Sequence, residues 1–208
     1  MTEIIKVLLV DDHPVVRDGY RRLFENSEDI RVMAEAGSGE EACAVYAKQG
    51  ADIVVLDINM PGIGGLETIR RLRAKDPQVR ILVFSMHDSR IMIERALAAG
   101  ATGYLNKSCV ATQMMDAVRS MAKGKSLHNH IAVTDACKAD EPLRALTRRE
   151  FQVFCKLAEA LTVADIAEVL SISPKTVGVH QTSIMRKLAL RNPAELTHLA
   201  IISGVIEV

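Results

Sequence analysis

The stretch Ile53-Val-Val-Leu-Asp57 shows how the first part of the sequence folds. Its first four residues are aliphatic, and so short and uniformly apolar a run is typical of a strand buried on both faces of a sheet. Four further short runs are mainly apolar: Val7–Val10, Ile30–Ala34, Ile81–Phe84 and Gly103–Leu105. Amphipathic helical segments follow the five runs, beginning at Pro14 and lying at about 39–48, 65–74, 89–99 and 111–123. Five strands alternating with five helices predict an α/β fold with a doubly wound, five-stranded parallel sheet.

The pattern changes after residue 123, which divides the chain into two predicted domains. Residues 1–123 form the α/β domain, and the mostly polar residues 124–142 are interpreted as a linker. Residues 143–208 contain no strand pattern, and four helices are predicted at about 148–160, 163–170, 174–189 and 193–203. Capping signals precede three of these helices: Thr147 with Glu150, Ser173-Pro174 and Asn192-Pro193. The second domain is therefore predicted to be small and all-α.

Composition and charge exclude several classes of protein. Hydrophobic residues make up 49% of the 208 residues but aromatic residues only 3%, so the cores must be aliphatic. The formal net charge is zero, so attraction to nucleic acid must come from a local basic surface. Four cysteines stand far apart without metal-site spacing and are interpreted as reduced thiols: Cys43, Cys109, Cys137 and Cys155. With neither a signal-peptide pattern nor a membrane-length apolar run, we expect a cytoplasmic protein without a membrane partner.

Polar residues follow four of the five predicted strands, at the ends where functional groups collect in a parallel sheet. They are Asp11 and Asp12 after the first strand, Asp57 after the third, Ser85 after the fourth and Lys107 after the fifth. Clustered carboxylates repel one another unless a cation joins them, and such oxygen ligands suit Mg²⁺. A carboxylate beside Mg²⁺ can attack phosphorus, while an ammonium and a hydroxyl stabilise the transferred group. Each residue alone is also explained as a helix cap or turn former, but their common location predicts a phosphoryl-acceptor site.

Three segments closely resemble the receiver domain of response regulators. They are Val7-Leu-Leu-Val-Asp-Asp-His-Pro14, Val54-Val-Leu-Asp57-Ile-Asn-Met-Pro-Gly62 and Ala99-Gly-Ala-Thr-Gly-Tyr104-Leu-Asn-Lys107. The resemblance spans residues 4–123. It implies that Asp57 is phosphorylated by a partner sensor histidine kinase with Mg²⁺ as the cofactor.

The same resemblance assigns roles to the residues around Asp57. Asp11 and Asp12 match the acidic pair, with Asp12 as a direct metal ligand, and the backbone carbonyl of Asn59 matches the third protein ligand. Ser85 and Tyr104 match positions that rearrange on phosphorylation, and Lys107 matches the lysine that binds the phosphoryl group. Many receivers have proline after that lysine; here Ser108 follows, and we expect a trans peptide bond. His13, His87 and Cys109, which lie nearby, are interpreted as bystanders.

The segment from Val163 to Val177 has the pattern of a helix, a tight turn and a second helix. The exposed face of the second helix is predicted to carry five residues: Lys175, Thr176, Val179, Thr182 and Arg186. A helix presented in this way fits the major groove of DNA. The alternative from pattern alone is a small helical domain that binds only protein.

Three further segments look like the LuxR-type helix-turn-helix: Leu146-Thr-Arg-Arg-Glu-Phe151, Ile166 to His180, and Ile184-Met-Arg-Lys-Leu188. This match covers about residues 144–203, and the whole chain resembles the NarL/FixJ class of response regulators. The resemblance implies a transcriptional regulator that binds promoter DNA and forms a homodimer when phosphorylated. It also gives the last helix a role in dimerisation, while core packing is the alternative.

The chain departs from the family in its recognition helix. The family usually has lysine where Gly178 stands and often a basic residue where Thr182 stands, and the turn at Glu159-Ala-Leu-Thr lacks its usual glycine. From residue 143 onward there are eight Lys or Arg and six Asp or Glu, a net charge of +2. The remaining candidates are Lys175, Arg186, Lys187 and Arg148 for phosphates, and Val179 and His180 for the groove. We expect weak, salt-dependent binding that requires a dimer.

Two other functions are compatible with the sequence. A response regulator with weakened DNA binding would act mainly through protein contacts. A phosphatase resembling the haloacid dehalogenase class would need an aspartate two residues after Asp57, and Asn59 stands there. We therefore expect no enzyme activity beyond assistance to the protein's own phosphoryl transfer and autodephosphorylation.

Overall fold

The computed structural model describes residues 4–86, 89–127 and 141–206. The chain divides into two compact units, one containing all the strands and the other the C-terminal helices, and each is described by itself. The strands are β1 (Ile5–Val10), β2 (Ile30–Ala36), β3 (Ile53–Leu56), β4 (Arg80–Ser85) and β5 (Gly103–Asn106). The helices that follow them are α1 (Pro14–Glu25), α2 (Gly39–Gln49), α3 (Gly64–Lys75), α4 (Arg90–Ala99) and α5 (Ala111–Ala122).

The five strands form one parallel sheet in the order β2-β1-β3-β4-β5. Val10 is in register with Leu56 at the ends of β1 and β3, so the residues that follow them lie side by side. Ser85 is in register with Asn106 at the ends of β4 and β5. The carboxyl ends of four strands are thus brought to one edge, as the doubly wound prediction requires, and that prediction is confirmed.

The core of this unit is aliphatic, as the composition predicted. One cluster joins Val7, Ile53 and Leu82 of the sheet to Met114 and Val118 of α5, all fully buried. The β3 run is buried along its whole length, because helices cover both faces of a doubly wound sheet. Within the described residues, no helix has both the length and the apolar character needed to span a membrane.

Two strands extend two residues beyond their predicted bounds. Strand β1 begins earlier, at Ile5. Strand β2 continues to Ala36, because Glu35 and Ala36 pair in register with Leu9 and Val10 of β1. Leu127 falls within the predicted linker, but it packs into the core and pairs with Gly103 in an isolated parallel bridge. A single leucine in a polar stretch carries no periodic signal. Residues 128–140 of the predicted linker lie outside the described residues, as does His87, whose interpretation as a bystander stays a prediction.

The second unit is all-α. A 3-10 helix at Glu141–Ala145 precedes α6 (Arg148–Ala158), α7 (Val163–Val169), α8 (Pro174–Lys187) and α9 (Pro193–Ile202). The side chains of Thr147, Ser173 and Asn192 cap α6, α8 and α9, as predicted. Ala160 occupies the turn that usually holds glycine and has a φ of 61° in the left-handed region.

Helix α9 contributes to the core of this unit. Leu196 and Ala200 are buried, which supports the packing role proposed as one alternative. Ile202 is 46% exposed, so part of the apolar surface remains open.

Gly65 allows α3 to approach the end of β3, and we predict that replacing it is costly. A Cβ at this position would lie 2.5 Å from the backbone oxygen of Asp57 and 2.5 Å from Cα of Ile58. Gly65→Ala should lower the free energy of unfolding by about 3 kcal/mol in urea denaturation. Gly19→Ala is the matched control, because nothing lies within 4 Å of its Cβ position; it should stabilise α1 by about 0.5–1 kcal/mol. Equal effects of the two variants would contradict this account of Gly65.

Candidate functional site

Lys107 joins two buried carboxylates at the carboxyl edge of the sheet. Its Nζ lies 2.6 Å from Oδ2 of Asp11 and 2.6 Å from Oδ2 of Asp57. The three side chains are only 10%, 4% and 5% exposed, respectively. Residues that follow β1, β3 and β5 therefore form one charged cluster. The predicted convergence of these three residues is observed.

Backbone hydrogen bonds hold the cluster in place. The backbone N–H of Asp57 donates to the carbonyl of Val10 at 2.9 Å, and that of Lys107 donates to the carbonyl of Ser85 at 2.8 Å. The Oδ1 atom of Asp57 accepts a bond from the backbone N–H of Asn59 at 3.2 Å. Because the two backbone–backbone bonds each extend the sheet by one residue, the strands themselves place the side chains of Asp57 and Lys107.

Burial and charge pairing compete in this cluster. Burial raises the pKa of Asp57, although the hydrogen bond and charge of Lys107 oppose this effect. Burial also acts on Lys107 and would lower its pKa, but the hydrogen bonds and charges of Asp11 and Asp57 outweigh it and raise the pKa overall. Lys107 therefore remains an ammonium ion at neutral pH and can neutralise a group attached to Asp57.

The cluster has the donor atoms for a divalent cation. Asp11, Asp12, His13 and Asp57 each offer a ligand atom, and these atoms lie within 4.8 Å of one another. Oδ1 of Asp12 is buried and accepts no hydrogen bond from the described residues, although Nδ1 of His13 lies 3.1 Å away. Three carboxylates against one ammonium leave excess negative charge, and hard oxygen donors of this kind fit Mg²⁺.

His13 is closer to the cluster than its interpretation as a bystander suggested. Its backbone N–H donates to Oδ1 of Asp11 at 2.8 Å, and its Nδ1 lies 3.1 Å from the same oxygen. Arg17 was not predicted at all, yet its Nη1 donates to the carbonyl of Asp11 at 2.5 Å. The only signal in the sequence was its position in α1, one turn after the acidic pair.

The remaining predicted site residues lie near the same edge or on the strands that lead to it. Ser85 ends β4 and is fully buried, and Tyr104 on β5 is 4% exposed. The Lys107–Ser108 peptide bond is trans, as expected. Asn59 is exposed two residues after Asp57. The metal-binding carbonyl of Asn59 and the switching roles of Ser85 and Tyr104 stay predictions.

Helices α7 and α8 form the predicted helix-turn-helix pair. Val177 and Ile184 of α8 are fully buried, whereas Val179 is 62% exposed. Lys175, Thr182 and Arg186 are exposed on α8, and Arg148 is exposed at the start of α6. Thr176 and His180 are half-buried. The structure therefore leaves one side of α8 accessible, while the DNA contacts themselves stay predictions.

Two threonine hydroxyls of α8 already have local hydrogen-bond partners. The hydroxyl of Thr176 lies 2.8 Å from that of Ser173, and the hydroxyl of Thr182 donates to the carbonyl of Gly178 at 2.9 Å. Apart from its chain neighbours and the backbone of its own helix, no atom lies within 4 Å of the position that a Cβ on Gly178 would take. Gly178 is therefore not required by packing.

Lys187 has a partner within its own unit. Its Nζ donates to Oε2 of Glu150 at 2.7 Å and to the carbonyl of Ala145 at 3.2 Å. This pairing counts against the prediction that Lys187 contacts a DNA phosphate. The sequence could not show it, because Glu150 and Lys187 are brought together only by the packing of α6 on α8.

Glu150 is also the carboxylate of the predicted capping box on α6, which is present. Burial raises the pKa of Glu150, but hydrogen bonds from Lys187, Ser183 and Thr147 outweigh it and lower the pKa to about 2. Glu150 therefore stays ionised in the folded unit.

Two family models match the chain. The model described as response regulator receiver domain matches residues 7–119. The model described as bacterial regulatory proteins, luxR family, matches residues 144–200. Together they cover both structural units.

Similar proteins cover nearly the full length. The transcriptional regulatory protein UhpA of Salmonella typhimurium (strain LT2) is 41% identical over 94% of this chain and 97% of its own. The response regulator UvrY of Escherichia coli (strain K12) is 36% identical over 97% and 96%. A similar solved structure is RcsB from Salmonella enterica serovar Typhimurium, bound to promoter rprA in the presence of phosphomimetic BeF3−. It superposes with a TM-score of 0.74 at 26% sequence identity, over 94% of this chain and 98% of its own.

Glu150 should give the stability of the helical unit a defined pH dependence. Its pKa is about 2 in the folded unit against an ordinary 4.5, so its contribution is complete above about pH 4.5 and is lost as the pH falls towards 2. Glu150→Gln should lower the free energy of unfolding by about 2 kcal/mol at neutral pH, because charged hydrogen bonds are lost. The difference from wild type should shrink through that acidic range, measured by urea unfolding with far-ultraviolet circular dichroism.

Glu159→Gln, at the C-terminal cap of the same helix, is the matched control. Its carboxylate is 38% exposed and pairs with the buried Lys156 at 2.8 Å, and a glutamine oxygen can still accept that hydrogen bond, so we expect a smaller loss than for Glu150→Gln. An equal loss in both variants, or a Glu150→Gln effect that persists at the lowest pH, would contradict the role assigned to Glu150.

Proposed function

Because the chain belongs to the NarL/FixJ class of response regulators, with a receiver domain followed by a LuxR-type DNA-binding domain, we propose that phosphorylation of Asp57 controls its binding to promoter DNA. The chain is a response regulator homologous to transcriptional regulators; the residues and steps below are the proposal. The observation that carries it is the bridge from Lys107 to both Asp11 and Asp57.

The chemical step is the transfer of a phosphoryl group from a phosphohistidine of a sensor histidine kinase. A carboxylate oxygen of Asp57 attacks phosphorus, an O–P bond forms, and the P–N bond breaks with its electron pair returning to the imidazole. The ammonium of Lys107, already 2.6 Å from the Asp57 carboxylate, would stay with the phosphoryl oxygens and offset their charge. The buried hydroxyl of Ser85 would then donate to the same group.

Asp11, Asp12 and Asp57, with the carbonyl of Asn59, would hold Mg²⁺. When bound, Mg²⁺ would offset the repulsion among these carboxylates and the incoming phosphoryl oxygens. The clustered ligand atoms and the buried, non-hydrogen-bonded oxygen of Asp12 support this assignment. Asn59 stands where an aspartyl phosphatase would need a general acid, so we assign no activity on other phosphate esters.

We further propose that Ser85 and Tyr104 rearrange when Asp57 is phosphorylated and that the active form is a homodimer. Two helix-turn-helix units on adjacent half-sites would combine their modest affinities. The DNA complex of the similar protein RcsB, obtained with a phosphomimetic, supports a link between the acceptor site and DNA. The cytoplasm is the proposed location, since the kinase and the promoter must both be reached.

The central test compares wild type with Asp57→Ala before and after treatment with acetyl phosphate and Mg²⁺. Wild type should gain one phosphoryl group by mass spectrometry, dimerise, and bind promoter DNA more tightly; Asp57→Ala should do none of these. Glu28→Ala, which removes an exposed carboxylate of the same unit, should behave like wild type. Added EDTA should abolish the wild-type response. If Asp57→Ala responds as wild type does, the proposed mechanism is wrong.

The side chains of α8 favour a second function, regulation mainly through protein contacts. The exposed side of α8 carries Gly178 and a Thr182 hydroxyl bonded within the helix, and the ammonium of Lys187 pairs with Glu150. Under this alternative, genome-wide immunoprecipitation would enrich no DNA sites although Asp57 is phosphorylated normally.

Gly178 provides a direct measure of how much DNA affinity the recognition helix lacks. Gly178→Lys should raise promoter affinity roughly tenfold at low salt and steepen the salt dependence by about one phosphate contact, because the space around the position is open. Gly178→Ala is the matched control and should stabilise α8 by about 1 kcal/mol without changing the salt dependence. Fluorescence anisotropy across a salt series measures both. An unchanged affinity of Gly178→Lys would place this position away from DNA.

A further inference from the structure

One buried carboxylate connects two helices of the DNA-binding unit. Glu150 is 5% exposed, and its two oxygens accept three hydrogen bonds. The backbone N–H of Thr147 donates to Oε2 at 2.7 Å, which completes the cap of α6. The hydroxyl of Ser183 donates to Oε1 at 2.7 Å, and the ammonium of Lys187 to Oε2 at 2.7 Å. A capping box alone requires only the first of these bonds.

The two bonds from α8 restrict how that helix can turn. Ser183 and Lys187 are four residues apart, so they lie one above the other on the same face. Attachment at two points one turn apart fixes the rotation of α8 about its own axis. That rotation decides which way the exposed Val179 and Arg186 face.

The same contact determines where the charge of Lys187 is directed. Its ammonium donates to Glu150 and also to the carbonyl of Ala145 at 3.2 Å, so it faces α6 and the segment before it. The side chain is 29% exposed. A DNA phosphate could recruit this ammonium only by leaving the Glu150 carboxylate buried and unpaired, which is costly.

We propose that Glu150 is a positioning residue for DNA recognition: it orients α8 and withholds Lys187 from DNA phosphates. Recognition of a DNA sequence then depends on the placement of α8 rather than on the charge at the C-terminal end of that helix. Loss of Glu150 releases Lys187 and loosens α8, so binding to any duplex strengthens while discrimination between sequences falls. The inference rests on the proposed binding of DNA by α8.

The test measures the affinity of the phosphorylated full-length chain for two duplexes across roughly 50 to 200 mM salt. One duplex is a sequence that wild type enriches from a random library, and the other is a scrambled sequence of equal composition. For Glu150→Gln, affinity for the scrambled duplex should rise about three- to tenfold at low salt, and the slope of log affinity against log salt should steepen by about 0.9. The ratio of the two affinities should fall.

Glu159→Gln separates this effect from the loss of one negative charge. It removes a carboxylate from the end of the same helix and also releases a lysine, Lys156, from its pair. It should leave the slope and the ratio near their wild-type values. The proposal is overturned if Glu159→Gln matches Glu150→Gln, or if Glu150→Gln retains the wild-type slope. A structural role alone would lower stability without steepening the slope.

A second variant keeps the proposal testable if Glu150→Gln does not fold. Lys187→Gln should keep the wild-type salt slope on both duplexes, because Lys187 does not contact phosphate; a slope shallower by about 0.9 would overturn the proposal. If the proposed DNA-binding function itself is wrong, wild type will enrich no sequence from the library, whatever the behaviour of the variants. The two failures are therefore distinguishable.

Discussion

The α/β unit depends on a lysine shared between two buried carboxylates. Asp11 and Asp57 follow adjacent central strands, and the register of β1 with β3 brings them together whatever their charge. Without Lys107, each would be a buried charge lacking its ion-pair partner, a situation that costs about 3–5 kcal/mol. Lys107 stabilises this arrangement while remaining 10% exposed at the edge of the sheet. The contact that holds the strand ends together is thus also the contact that would receive a phosphoryl group.

The DNA-binding unit contains a further buried carboxylate that pairs with lysine, Glu150, but its surroundings differ. In the receiver the lysine is shared by two acids, and the surplus negative charge calls for a cation. In the helical unit Glu150 has three donors from within the unit and carries no such surplus. The first arrangement is suited to binding and chemistry, and the second to holding helices in a fixed relation.

The fold was largely predictable because its strands appear in the sequence as short aliphatic runs and its helices as segments whose apolar residues recur with the helical period. The acceptor cluster was also predictable, since parallel strands place the residues after Val10 and Leu56 at a common edge. Contacts without periodic signal were not predictable. Leu127 reads as part of a polar stretch, and the nearness of Lys187 to Glu150 arises only from the packing of two helices. In each case the missing information was tertiary rather than local.

The open position at Gly178 allows the recognition helix to change in sequence without loss of the fold. The space around it is open and its backbone is ordinary helix, so nearly any side chain can be accommodated there without disturbing a core or a cap. Selection can therefore alter the contacts of this helix without first compensating for damage to the fold. A regulator built in this way can acquire new target sites over evolutionary time while the switch at Asp57 stays unchanged.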